Sequence, residues 1–229
     1  EFRDKDNCFL DIFGTRILIN SISDSSYGTV NYDERIKVWN RSSSNLNTPE
    51  SFVVLECVIR LLLKGYKPEL IELERSWKSG HGKSGRLDVL LKNKDGSIFS
   101  MIECKTWGVE YEKERNNLLN DGGQLFAYAI QERTTSYLTL YSSKIDDEVT
   151  YQSEHINIQD LKGGNIEEMH FHWDKNFIIG SFFDEDASLF AFEGKELRKN
   201  DLKALDNDSG RGLFNSFAEI LRRNSISDK

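Results

Sequence analysis

The stretch Gly85-Arg86-Leu87-Asp88-Val89-Leu90-Leu91, followed by Ile102-Glu103-Cys104-Lys105, decides how this chain folds. Between the two apolar runs lies Lys92-Asn93-Lys94-Asp95-Gly96-Ser97, and an Asp-Gly pair in such a position is a strong hairpin signal. Folded as a hairpin, the runs bring Asp88 beside the Glu103/Lys105 end of the second strand. Strand side chains alternate, so Glu103 and Lys105 share one face and Cys104 takes the other. An Asp and a Lys on paired strands often form only a solvated cross-strand ion pair. Here Val89, Leu90, Leu91, Ile98, Phe99, Met101 and Ile102 make both strands apolar enough to be central and covered on both faces. Charges at the ends of such strands need a reason.

Two carboxylates and an amine at one sheet edge suit a hard cation. Mg²⁺ takes oxygen ligands, commonly one or two carboxylates completed by water and substrate phosphate oxygens. Asp88 and Glu103 supply the carboxylates, and the Cys104 carbonyl offers a further oxygen; Mn²⁺ is expected to substitute. Such an ion polarises a phosphate and acidifies a bound water. Lys105 then orients that water or stabilises charge on phosphorus, and partial burial is expected to draw its pKa toward neutrality. No thiol or imidazole zinc pattern is present.

A polar stretch after Lys105 leads into Gly122-Gly123-Gln124-Leu125-Phe126-Ala127-Tyr128-Ala129-Ile130-Gln131, which reads as a helix after a glycine-rich start. Gln124 and Tyr128 lie one turn apart on one face, with Leu125, Phe126, Ala129 and Ile130 as the apolar remainder.

Asp88, then Glu103-Cys104-Lys105, then Gln124-x-x-x-Tyr128 resembles the PD-(D/E)xK phosphodiesterase superfamily. The likeness is to the branch of RecB-type nucleases and the N-terminal nuclease domains of type I restriction subunits. It covers about residues 48–142, and the order, spacing and context of the motifs carry it more than any one motif. Where the superfamily usually has Pro before the Asp, this chain has Leu87. The resemblance implies an α/β restriction-endonuclease-like core, a central mixed sheet flanked by helices. It also implies a Mg²⁺-dependent endonuclease cutting DNA, with Gln124 and Tyr128 orienting the site or touching the strand. Members often carry an acid on the first helix; Glu56 is the expected one, with Glu50 in reserve because the helix N-terminus already accounts for it. The alternative from another class is a nuclease-like module that binds DNA or docks protein without cutting. Cleavage of RNA or branched DNA shares the chemistry.

Working outward, Thr48-Pro49-Glu50 opens a helix with Thr as N-cap and Pro at the first position. That helix runs nearly all apolar from Pro49 to Lys64 and stops at Gly65. Leu70 to Trp77 is strand-like, as is Ser136 to Tyr141, so 48–142 reads helix, three strands, helix, strand. Gly80 to Ser84 lacks the full phosphate-loop spacing and is expected to be a loop. Residues 1–47 read as an N-terminal extension with β-like pieces at Phe13 to Ile19 and Arg35 to Trp39, ending in a polar linker, Asn40 to Asn47. The nuclease core is placed at 48–143, and 144–229 as a C-terminal extension of the same domain. In the latter, Phe177 to Phe183 with Ser188 to Phe192 suggest a hairpin. Leu197 to Asp208 and the amphipathic Arg211 to Arg223 suggest helices. This tail resembles the lead-in to an adenine-specific methyltransferase region; the alternative is a C-terminal helix that closes the domain. Methyltransferase and target-recognition domains or subunits are thus expected partners, along with DNA and a transient dimer on it.

Composition sets the remaining limits. A chain of 229 residues, 38% hydrophobic and 30% charged, fits one large globular domain. No apolar run approaches the ~20 residues of a membrane span, and no signal peptide is evident, so no membrane and a cytoplasmic location are expected. Cys8, Cys57 and Cys104 form neither a disulfide framework nor a zinc pattern. The net charge of −8 opposes strong unaided DNA binding. Local cations exist, with Lys78, His81, Lys83 and Arg86 before Asp88, and Lys113 and Arg115 after Lys105.

Overall fold

The Asp95-Gly96 turn closes the expected hairpin: Gly96 has φ 88°, and Asp95 accepts the Ser97 N–H at 2.9 Å. The computed structural model describes residues 3–4, 7–20, 28–77, 85–159, 161 and 163–173. Among these the strands are β1 (Arg3–Asp4), β2 (Asn7–Ile12), β3 (Thr15–Asn20), β4 (Thr29–Asn31), β5 (Lys37–Val38), β6 (Ile71–Ser76), β7 (Arg86–Lys92), β8 (Ile98–Cys104), β9 (Tyr137–Ile145) and β10 (Val149–Asn157). The α-helices are α1 (Pro49–Leu63), α2 (Val109–Asp121), α3 (Gly123–Gln131) and α4 (Ile166–His172).

The fold is mixed α/β. Its central sheet has the order β10-β9-β8-β7-β6-β5, antiparallel except for the parallel pairs β8/β9 and β5/β6. Every residue of β8 is buried, as its two-sided apolar pattern requires. The ladder pairs Val89 with Ile102, which places Asp88 across from Glu103.

Strands β1 to β4 form a second, antiparallel sheet. Leu10, Ile17, Ile19 and Val30 from it share one core with α1 and with Leu73, Val89 and Ile102 of the central sheet. Helix α1 therefore lies between two sheets, and this is why it is apolar almost all round. Thr48 caps it by accepting the Ser51 N–H, and Gly65 follows it at φ 89°. The opposite face of the central sheet packs Leu90, Met101, Leu138 and Leu140 against Leu118 of α2, Leu125 and Phe126 of α3, and Met169 of α4.

One feature differs from the sequence-based expectation. The polar stretch after Lys105 is helical: α2 buries only Tyr111, Glu114 and Leu118, a stripe too thin to stand out. The β-like piece at 35–39 supplies β5, the edge strand of the central sheet. At the other end, β9 and β10 carry the sheet to Asn157. The loop around Gly80 to Ser84, the expected hairpin at 177–192 and the helices at 197–208 and 211–223 lie outside the described residues. Among the described residues no helix is long and apolar enough to cross a membrane.

Candidate active site

One end of the central sheet opens into a polar pocket of about 420 Å³. Asp88, Glu103 and Lys105 line it from β7 and the end of β8, with Glu50 from the first turn of α1 and Gln124 from the first turn of α3. Neighbouring walls come from Asn40, Ser76 and Arg86. Each element delivers its residue for a local reason. The hairpin register sets Asp88 against Glu103, and the Thr48 cap fixes the helix start that carries Glu50. Gly122, at φ 91° in the left-handed region, ends α2 and lets α3 begin at once.

Asp88 is held in place by the Cys104 backbone N–H, which donates to its Oδ2 at 2.7 Å. Lys105 donates from Nζ to Glu103 Oε1 at 2.6 Å and lies 3.7 Å from Glu50 Oε2. Glu103 Oε2 is buried with no hydrogen-bond partner among the described residues. Burial, reinforced by the facing Glu103 charge, pushes the Asp88 carboxyl well above its ordinary range. Burial likewise raises Glu103 to about 7 despite the opposing pull of Lys105. Burial alone would lower Lys105, but the carboxylates of Glu103, Asp88 and Glu50 outweigh it and hold the ammonium above its usual range. The expected drift of Lys105 toward neutrality is thus reversed, because three anions surround it.

The carboxylate pair fits a divalent cation. Two buried acids face each other with insufficient positive charge between them, and one carboxylate oxygen is left orphaned. Among the described residues no group of three or more His, Cys, Asp or Glu is arranged to hold a metal by itself. An ion here would complete its shell from water and substrate, the usual habit of Mg²⁺.

The remaining sequence candidates divide. Gln124 lines the pocket. Tyr128 is buried beneath it, with its hydroxyl donating to the Arg86 carbonyl at 2.9 Å and its ring 5.5 Å from that of Trp77. It therefore fixes the strand that carries Asp88. A Cβ at Gly85 would meet Tyr128 Cε1 at 2.4 Å, so only glycine permits this approach. Cys104 turns its thiol to the α1 side, near Cys57, where burial raises it far above the ordinary thiol range. Toward the site it contributes the N–H that grips Asp88.

Glu56 is not part of the pocket. Its carboxylate is 1% exposed and binds the Arg60 guanidinium and the Tyr141 hydroxyl. Glu50 and Glu56 are six residues apart, about 120° around the helix, so only one can face the pocket. Glu50, the reserve candidate, is the one that does. Sequence reasoning missed Asn40 and Ser76. Asn40 lies in what reads as a polar linker, and only the β5/β6 pairing brings it to the site. Lys78, His81 and Lys83 lie outside the described residues; Arg86 is at the pocket, ion-paired to the buried Glu74. Among the described residues Lys113 is exposed and pairs with Glu110 on its own helix, while Arg115 is committed to Glu154.

No protein-family model matches the chain, and no curated protein matches it.

Proposed function

We propose that this chain is a metal-dependent phosphodiesterase, an endonuclease domain of the PD-(D/E)xK type that cleaves DNA. The observation that carries this is the pairing of Asp88 and Glu103, two buried carboxylates on adjacent strands, with one orphaned oxygen and the Lys105 ammonium 2.6 Å from the other. The order α1, β6, β7, β8, α2, α3, β9, with α1 and α3 on opposite faces of a mixed sheet, supports a restriction-endonuclease-like core.

Asp88 and Glu103 would hold Mg²⁺ or Mn²⁺, whose chemistry is to polarise the scissile phosphate and lower the pKa of a bound water. The chain's own residues do the rest. The Cys104 N–H keeps Asp88 aimed into the pocket. Lys105, anchored by Glu103 and close to Glu50, stays protonated and offers its remaining N–H donors to the attacking water or a phosphate oxygen. Gln124 adds an amide at the wall, and Arg86, with a side chain 44% exposed, stands at the rim as a phosphate contact. The net charge of −8 assigns most DNA affinity and target choice to other domains or subunits, in keeping with a restriction-modification assembly. Two-strand cleavage by one such site calls for a second copy on the DNA.

The test is plasmid cleavage in Mg²⁺ or Mn²⁺ by the parent chain, Asp88→Asn and Lys105→Ala, run beside thermal melts. Cleavage by the parent alone, with a metal-induced rise in Tm that Asp88→Asn abolishes, is the expected result. Absence of both cleavage and a metal-induced rise would make the fold an inert module.

A further inference from the structure

Glu74 combines two features that are rare inside a central strand. It lies partway along β6 with φ 57°, in the left-handed region that an L side chain seldom adopts. Its side chain is also buried, only 3% exposed. The ladder pairs Leu73 with Val89 and Arg75 with Leu87, so Glu74 stands across from Asp88, at a step the ladder skips. Glu74 Oε2 binds the Nε of Arg86 and accepts the Ser42 hydroxyl at 3.0 Å. Arg86 in turn lines the pocket of Asp88, Glu103 and Lys105, two residues before Asp88 on β7.

An arginine in that place is a hazard for a cation site. Among the described residues the pocket sets the carboxylates of Asp88, Glu103 and Glu50 against the Lys105 ammonium, with one Glu103 oxygen unfilled. Residues two apart on a strand are separated by about 6.6 Å, a span that an extended arginine side chain covers. A guanidinium also matches a carboxylate in charge and shape, donating two parallel hydrogen bonds. An untethered Arg86 would therefore pair with Asp88 or Glu103 and fill the place of a metal ion. It is not so paired: the charges that bear most on Asp88 are those of Glu103, Lys105 and Glu50, and the ion-pair partner of Arg86 among the described residues is Glu74. Glu56 likewise binds an arginine, but from a regular helix and away from the pocket. Glu74 holds its arginine from a strained backbone at the pocket's edge, and such strain persists only where the surroundings over-determine it.

We propose that Glu74 is a positioning residue that keeps Arg86 out of the carboxylate pair, holding the metal site open and leaving the guanidinium at the rim for a phosphate. This inference rests on the metal-dependent reading of the site and adds what keeps its cation place free.

Calorimetric titration with Mn²⁺ alone tests this, on the full chain and at high salt, which screens charges that are not in direct contact. The variants are Glu74→Gln and Glu74→Gly, each with and without Arg86→Ala. Glycine suits the left-handed backbone, so Glu74→Gly serves also where Glu74→Gln fails to fold. If a freed Arg86 fills the carboxylate pair for about nine-tenths of the time, Kd for Mn²⁺ rises about tenfold. The expected result is that rise in both single variants and a return to the parent's Kd once Arg86→Ala is added. A purely structural Glu74 would lower Tm on substitution and leave Kd for Mn²⁺ where it is. An unchanged Kd in the single variants, or a loss that Arg86→Ala does not reverse, would overturn the inference and leave the metal site standing. No Mn²⁺ binding by the parent chain would overturn both.

Discussion

Replacing Glu56 by Gln should cost stability without touching the proposed chemistry. Glu56 is 1% exposed, and its two oxygens meet Arg60 and the Tyr141 hydroxyl, joining α1 to β9. Removing the charge leaves a guanidinium, itself only 13% exposed, facing a neutral amide. It also turns one acceptor into an NH₂ group that confronts a donor. Breaking one partner of a buried pair costs about 3–5 kcal/mol. Arg60 keeps its stacking over the Tyr151 ring at 3.6 Å, which points to the lower end, about 3 kcal/mol. For a domain of this size that is a fall in Tm of about 6–12 °C. Calorimetric melts of the parent, Glu56→Gln and Asp88→Asn, each with and without saturating Mg²⁺, separate the roles. Glu56→Gln should melt lower by that margin and keep the full Mg²⁺-induced rise, about 2.7 kcal/mol at a hundredfold excess over Kd. If Glu56→Gln melted within about 2 °C of the parent and lost the Mg²⁺ response, the assignment of Glu56 to the core and Glu50 to the site would be refuted.

Asp88→Asn keeps an acceptor for the Cys104 N–H and removes one of two facing buried carboxylates, so in chelator it should be more stable than the parent by about 0.5–2 kcal/mol; a lower Tm in chelator would show the pair is not repulsive. Glu50→Gln, at a side chain 42% exposed, should change stability by no more than about 0.5 kcal/mol while slowing metal-dependent cleavage, which parallel melts and rate measurements would check. Gly85→Ala drives a Cβ into the buried Tyr128 ring and should cost about 1–3 kcal/mol; combining it with Tyr128→Leu should give less than the sum, as a double-mutant cycle would reveal. His155 is buried against Thr139 at 2.6 Å, and burial lowers its pKa to about 3. The unfolded chain takes up a proton near pH 6.5 that the folded chain refuses, so this stabilisation is complete above pH 6.5 and falls as pH drops toward 3. Relative to His155→Asn, the parent should lose about 1.6 kcal/mol between pH 6.5 and 5. Taking that difference cancels Glu103, whose raised pKa works in the opposite direction over the same range.

The parts of the fold that the sequence made legible are those where local chemistry and tertiary environment agree. Asp95-Gly96 allows one kind of turn, and that turn fixes the register opposing Asp88 to Glu103. Thr48-Pro49 marks a helix start to the residue. Where the two disagree, the pattern misleads. Helix α2 hides because only three of its residues are buried, with Leu119 partly buried beside them, while most of its other positions face solvent. The strand character of β5 is legible at 35–39, but its place is not, since that is set by pairing with β6, 35 residues later in the ladder.

The site shows the same division more sharply. Glu56 looks functional in sequence because an acid among Val53, Leu55, Val58 and Ile59 has no apparent partner. Its partners are Arg60, one turn on, and Tyr141, which no local pattern connects to it. A buried acid that finds both an arginine and a phenol has its burial explained by structure alone. Glu103 is the contrasting case: Lys105 satisfies one oxygen, the other has no partner, and its pKa is driven upward where a structural ion pair would hold it down. Both acids are buried, so burial cannot tell them apart. An unsatisfied oxygen alone cannot either, since Glu154 Oε2 is orphaned in the same way beside Arg115; the difference is that Glu103 faces a second buried carboxylate, Asp88, at the pocket. It is the facing of Asp88 and Glu103 in one pocket, more than the presence of an Asp, a Glu and a Lys, that supports the proposal of a ligand arriving from outside the chain.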